Sequence, residues 1–265
     1  TPFTTQAKEG DVPDGDRAYY AALARKFLAE PFPPGSLRPL RRQVRRALRQ
    51  LRRAGQTPKA PGQEPAFREW LDDNYHLLAR EGEQAAADLR FAGRQPCDGI
   101  WPATCLLLRK LVQERGVPDE QGIETLVQEA ERLRPLTVFE LEQLPLCLKA
   151  ALILTAADAC REKGAEGTRL IAAAVNGLRS AADMDFTGLT ERHSIVERIL
   201  REDPAGVYAQ MDDLSRADYR RRTALAALRT GRSEAVTAAA LVDKAQGGST
   251  PRERHVGAPL AAFGD

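Results

Sequence analysis

Apolar positions recur at helical spacing over most of this chain, and the clearest case lies near its start. Leu37, Leu40, Val44, Ala47, Leu48 and Leu51 fall on one stripe about 100° wide when each residue turns about 100°. A preceding helix is predicted from about Asp16 to Glu30, stopped by PFPPG, and Ser36 is placed to cap the striped helix. Residues 55–65, GQTPKAPGQEP, read as a linker. That linker separates a lead-in and helical hairpin, 1–57, from a helical domain, 58–265.

Beyond the linker, helices are predicted at about Pro65–Arg80, Pro102–Arg115, Asp119–Leu133, Thr137–Glu162, Gly164–Ala182, Thr190–Arg201, Pro204–Met211, Ser215–Arg229 and Ser233–Lys244. Thr137 with Glu140 forms a capping-box pattern, and Asp119 can cap its own helix. Asp203-Pro204 reads as a helix-opening pair, because proline at the first helical position loses no hydrogen bond. Ser215 with Asp218 is a second box, with Asp in place of Glu or Gln. Residues 1–15 read as a loose lead-in, and 246–251 as the end of regular structure. No fixed-period repeat stands out. The fold expected is all-α, a multi-helix array or bundle of about ten helices.

Composition agrees. At 265 residues and 43% hydrophobic content the chain can bury a core, but with 6% aromatics Leu and Ala must supply it. The best apolar run, Ala150–Ala157, is far too short to span a bilayer. No charged-then-apolar leader opens the sequence, so no signal peptide is expected. Cys97, Cys105, Cys147 and Cys160 lack metal-ligand spacing and fit buried free thiols in a reducing compartment.

Charge changes the picture locally. The formal net charge is +2, yet residues 38–53 hold eight arginines and no acid, leaving −6 for the remainder. The arginines occupy the arc beside the apolar stripe. They read either as a solvated face, as a face docked on the acidic body, or as a contact for anionic headgroups through Arg41, Arg45, Arg49 and Arg52. Nucleic acid fits less well, since no aromatic interleaving or recognised nucleic-acid motif accompanies the charge.

Catalytic chemistry finds little support. Asp72-Asp73 point about 100° apart on a helix, and Asp212-Asp213 sit at a junction where carboxylates commonly cap. Asp183-Met184-Asp185 matches the letters of a metal-binding Asp-X-Asp, but in a strand-poor chain between predicted helices. His76, His193 and His255 show no ligand spacing, and no Gly-rich loop follows a strand. No catalytic residue, metal site or cofactor is expected. Arg216, Tyr219 and Arg220 share one helical face and are residue types that interfaces favour, so with Asp212 they form a candidate interface. The alternative has Arg216 paired with Asp212 and Tyr219 packed in the core.

The wording of four stretches says more. Residues 195–222, IVERILREDPAGVYAQMDDLSRADYRRR, resemble a segment of the cyclic β-1,2-glucan synthases of the form VE..LR.DPAGVYA.MDFATRDRYR. Trp70–Tyr75 resembles the family's WL.DNY, RPLTVFELEQLP at 134–145 its TPLTIGELWALP, and His255-Val256-Gly257 its HVG. The order is collinear over roughly residues 64–260. Asp213 stands where the family has Phe and Glu142 where it has Trp, and the Arg- and Tyr-rich run expected after Tyr75 is missing. The resemblance implies a helical accessory segment of a large inner-membrane enzyme that builds glucan from UDP-glucose. Its partner would be the membrane-embedded glycosyltransferase portion of the same parent chain, and it would sit on the cytoplasmic side. A glucan-binding or glucan-processing helical domain is the alternative.

Overall fold

Ala-, Leu- and Arg-rich periodic runs give an all-α architecture, seen in a computed structural model that describes residues 14–30, 32–56 and 64–262. The expected lead-in, apart from its last two residues, and most of the expected linker lie outside the described residues. Among the described residues there are thirteen α-helices, ten of them seven residues or longer, and one small three-stranded sheet. In chain order the first helices are α1 (Asp14–Leu28), α2 (Arg38–Gln56), α3 (Pro65–Asp88), α4 (Ala103–Arg115) and α5 (Glu120–Glu131). Next come α6 (Val138–Glu142), α7 (Leu144–Ala159), α8 (Gly164–Ala182), α9 (Phe186–His193) and α10 (Ile195–Leu200). The last are α11 (Asp213–Thr230), α12 (Glu234–Gln246) and α13 (Gly257–Ala261). None is long and apolar enough to cross a membrane.

The chain divides into two units, residues 1–134 with 143–185, and residues 135–142 with 186–265. The boundary expected at 57–58 therefore falls between two helices of one unit, since α2 and α3 pack together. In that first unit α7 is the central element. Apart from Lys149 and Asp158 it is almost wholly apolar, as suits a helix largely enclosed by protein, and Leu148 and Ala150–Ile153 have no exposed surface. α2, α3, α4 and α8 surround it, while α1 lies on α4 and α5. Glycine sets two close approaches: a Cβ at Gly177 would stand 2.6 Å from Leu152 and Val117, and one at Gly82 would stand 2.5 Å from Leu48. The sheet, β1 (Pro34–Gly35), β2 (Gln95–Asp98) and β3 (Trp101–Pro102), is antiparallel throughout. Cys97, Cys105 and Cys147 are buried, Cys160 is half-buried, and none of the four forms a disulfide.

The second unit holds α6 and α9–α13 around Val138, Val196, Leu200, Tyr208, Leu241 and Val256. Its boundaries correct several expectations. The helix expected over 137–162 breaks at Gln143, because Pro145 starts α7 and cannot continue a helix from α6. The helix expected over 190–201 is two, with Ser194 capping α10 through the Glu197 N–H at 3.2 Å. Asp203-Pro204 opens no α-helix. The Asp203 carboxylate instead accepts from the Val207 and Tyr208 N–H groups, Gly206 takes φ 66°, and only a 3₁₀ turn at Tyr208–Gln210 follows. α11 is capped by Asp212, not by a Ser215–Asp218 box. Regular structure resumes after residue 251, in α13. The Thr137–Glu140 box forms as read, with Glu140 N–H to Thr137 Oγ1 at 3.2 Å and Thr137 N–H to Glu140 Oε2 at 2.9 Å.

The central place of α7 gives a direct test. Leu152→Ala should lower the unfolding free energy of the first unit by about 2–5 kcal/mol. Urea titration followed by tryptophan fluorescence reads this unit alone, since Trp70 and Trp101 both lie in it.

Candidate functional site

In the second unit the resemblance-bearing stretches meet around one carboxylate. Glu197 of α10 has no exposed surface. Tyr208 Oη donates to its Oε2 at 2.6 Å, Arg220 Nη1 donates to the same oxygen at 2.7 Å, and Arg201 Nε stands 2.8 Å from Oε1. Arg216 Nε lies 3.6 Å from Oε1. The two α11 arginines are themselves shared. Arg220, only 2% exposed, donates through Nε to Glu142 of α6 at 3.1 Å. Arg216 Nη2 donates to Glu191 of α9 and to Asp213, both at 2.6 Å, and Nη1 bonds the Met211 carbonyl. Burial and the bond to Glu197 push the Tyr208 phenol well above its ordinary pKa. Burial opposes the charge on Arg220, but Glu197 and Glu142 more than offset it and raise its pKa.

A second chain of bonds adjoins the first. Asp203 Oδ1 accepts the Val256 N–H and Oδ2 pairs with His255 Nδ1, both at 2.9 Å, while His255 Nε2 and Tyr219 Oη are 3.0 Å apart. Tyr219 also meets Tyr208 edge-on, with ring centroids 5.8 Å apart. Burial works against the Asp203 charge, yet the bonds from His255, Tyr208 and Val256 hold its pKa below the usual carboxylate range. An Asp–His–Tyr order resembles a nucleophile relay, but a Cβ on Gly257 would stand 2.5 Å from the Tyr219 oxygen. With the backbone so close, the phenol is part of the packing.

Of the candidate interface, Arg216 and Arg220 are thus buried, Tyr219 is half-buried, and only Asp212 is exposed. Asp212 does not pair with Arg216; its Oδ1 accepts the Ser215 N–H at 2.9 Å, and that bond leads the lowering of its pKa. The other face of α11 is the exposed one, carrying Leu214, Leu225 and Leu228. The WLDDNY stretch lies on α3 in the first unit, where buried Asn74 bonds the Trp70 carbonyl at 2.9 Å and Arg179 of α8 at 2.7 Å. Asp72 pairs with Arg68. Asp183–Asp185 connects α8 to α9. No group of three metal-ligating side chains comes together among the described residues.

Two grooves stand out among the described residues of the first unit. α2 buries Leu40, Val44, Ala47 and Leu51 and half-buries Leu48, as its stripe predicts, and Leu37 just before the helix is buried with them. Its arginines face outward; Arg45, Arg49 and Arg52 are exposed, and Arg41 is half-buried with its Nε bonded to the Ala86 carbonyl at 2.8 Å. Between α2 and α3 lies a groove of about 540 Å³ lined by Arg41, Arg45, Arg49, Glu83, Arg90 and Phe91 over Leu48, Ala86 and Ala87. A second pocket, of about 400 Å³, brings Trp101, Gln43, Gln50 and Arg46 to Arg109, Asp158 and Arg161. There Asp158 accepts from Arg109, Arg161 and Gln113, and Arg109 stacks 5.8 Å from the Trp101 ring. Neither Arg90–Phe91 nor the Trp101 pocket was nominated by the sequence, because both depend on residues far apart along the chain.

Comparison with protein-family models, curated proteins and solved structures finds no match.

Two outcomes follow for the second unit. Arg220→Met takes from Glu197 and Glu142 the buried guanidinium they share and should cost about 3–5 kcal/mol, read by urea unfolding and by faster amide exchange across α10 and α11. Arg220→Lys should not restore that loss, since one ammonium cannot span two carboxylates as the planar fork does. Glu234, which accepts the Val138 N–H at 2.8 Å, is raised to about 7 by burial, with Glu140 and Glu142 adding to the shift. The unfolded chain releases this proton at about pH 4.3, before the folded protein does. Stability therefore falls as pH rises from there toward 7. Glu234→Gln should flatten that part of the pH–stability curve.

Proposed function

We propose that this chain is a helical accessory segment of a membrane glycosyltransferase similar to the cyclic β-1,2-glucan synthases, with a scaffolding role and no chemistry of its own. Its partner is then the membrane-embedded transferase portion of the same parent chain, which makes glucan from UDP-glucose at the cytoplasmic side of the inner membrane. One observation carries this reading. Of the four stretches that resemble the family, 195–222, 255–257 and the middle of 134–145 (residues 135–142) belong to one unit, while 70–75 belongs to the other, and in the shared unit their polar side chains bind one another: Glu142 to Arg220, Arg220 to Glu197, Asp203 to His255. Residues kept for a reaction would face a cleft with room for substrate; these hold helices together. The surface left for a partner on α11 is the Leu214, Leu225 and Leu228 stripe.

A glucan-binding or glucan-processing domain is the second reading, and the Trp101 pocket favours it. An aromatic ring beside Gln43, Gln50 and Asp158 in a concave site is the arrangement sugars use.

Incubation with UDP-glucose and with linear β-1,2-glucan should give no product, and reproducible turnover abolished by a single carboxylate substitution would overturn the scaffolding role. Titration with β-1,2-glucan should leave tryptophan fluorescence unchanged; a saturable change lost on Trp101→Ala would favour the second reading. The coding sequence downstream of Asp265 should encode apolar spans and a transferase core, and a stop codon there would defeat the assignment.

A further inference from the structure

We propose that the arginine face of α2, joined across the groove by Arg90 and Phe91, is a docking surface for an anionic phospholipid bilayer. The inference does not rest on the glucan reading; it starts from which faces of α2 are already used. Its apolar stripe is buried against α3 and α7, so the helix cannot roll over and sink its own leucines into lipid as an amphipathic anchor does. What it offers is a row of guanidinium groups along 19 residues, a length of about 28 Å at 1.5 Å per residue. Among the described residues no carboxylate pairs with Arg45, Arg49 or Arg52, although the rest of the chain is net acidic.

Charge alone would suit any polyanion, and the groove narrows the choice. Arg41, Arg45, Arg49 and Arg90 line it together with a single acid, Glu83. Partial burial and the like charges of Arg45 and Arg90 depress the Arg41 pKa, so an anion entering the groove would relieve that crowding. The floor is apolar, and at its edge Phe91 is 81% exposed, with the Arg90 guanidinium 5.5 Å from its ring centroid. Phosphate-bearing headgroups match the arginines, and the acyl boundary beneath them matches a protruding phenylalanine. Nucleic acid would use a row of aromatics for stacking or a helix seated in a groove; one aromatic at the end of a half-packed helix supplies neither.

Sedimentation of the protein with phosphatidylcholine vesicles, with and without phosphatidylserine, tests this. Binding should require phosphatidylserine and fade as added salt shortens the Debye length from about 10 Å to about 3 Å. Changing Arg45, Arg49 and Arg52 together to Gln leaves the Arg41–Ala86 bond in place and should weaken binding about 100-fold, near fivefold per arginine. Phe91→Ser should weaken it about tenfold while leaving the salt dependence unchanged. The melting temperature of both variants should match the parent. The proposal fails if neutral vesicles bind equally well, or if a DNA duplex binds and the vesicles do not. It also fails if the arginine variant loses melting temperature and keeps its vesicle binding, because the arginines would then be docked on the protein's own acids.

Discussion

Glu197 has no contact with solvent, and an unpaired ionised carboxylate in such a place is among the costliest things a protein can bury. The arrangement of the second unit can be read as the response to that charge. Arg220 and Arg216 come in from α11, Tyr208 from the 3₁₀ turn and Arg201 from the end of α10. Each buried arginine then calls for a further acid, Glu142 from α6 for Arg220 and Glu191 from α9 for Arg216. Five helical elements separated in sequence are drawn to one point. Such networks add little net stability over an apolar core of the same volume. Their effect here is geometric, because they settle which face of α11 turns inward.

That choice runs against the hydrophobic pattern. α11 buries Arg216 and Arg220 with Thr223, Ala224 and Ala227, while Leu214, Leu225 and Leu228 are exposed. Apolar periodicity would place the leucines inside. From the sequence, Arg216, Tyr219 and Arg220 could be assigned to one face, and they do share it. The same letters suggested an outward face, since charged residues are mostly exposed. The competing rule, that buried charges occur with partners, could not be applied without knowing that α6, α9 and α10 bring carboxylates to that face. Glu142 marks the difficulty. It lies about eighty residues from Arg220 and Arg221, yet it bonds both.

Elsewhere legibility followed the range of the interaction. The α2 stripe, the bounds of α8 and the caps by Asp119 and Thr137–Glu140 depend on residues within one or two turns, and the helical period exposes them. The small sheet was not legible, because strands of two to four residues carry too little alternation to read. Nor was the Asp203 turn. Asp-Pro favours helix initiation only while the carboxylate serves its own first turn. Here Asp203 also reaches the Val256 N–H, 53 positions away, and His255 beside it. The helix-opening signal was real chemistry directed to another purpose.

The two arginine-rich helices make the same point from opposite sides. On α11 Arg216 and Arg220 have Glu142, Glu191 and Glu197 within reach and are enclosed. In the groove beside α2, the facing α3 offers Ala86, Ala87 and one acid, Glu83, and most of the arginines stay outside. Residue type and helical phase are similar in the two cases; the supply of carboxylates on the facing elements is not. An arginine's role therefore belongs to the packing around it. In α11 that packing turns charge into a structural fastener, and in α2 it leaves charge beside an exposed phenylalanine on an open groove. The first arrangement consumes its electrostatic energy within the fold, while the second leaves it available for a partner from outside.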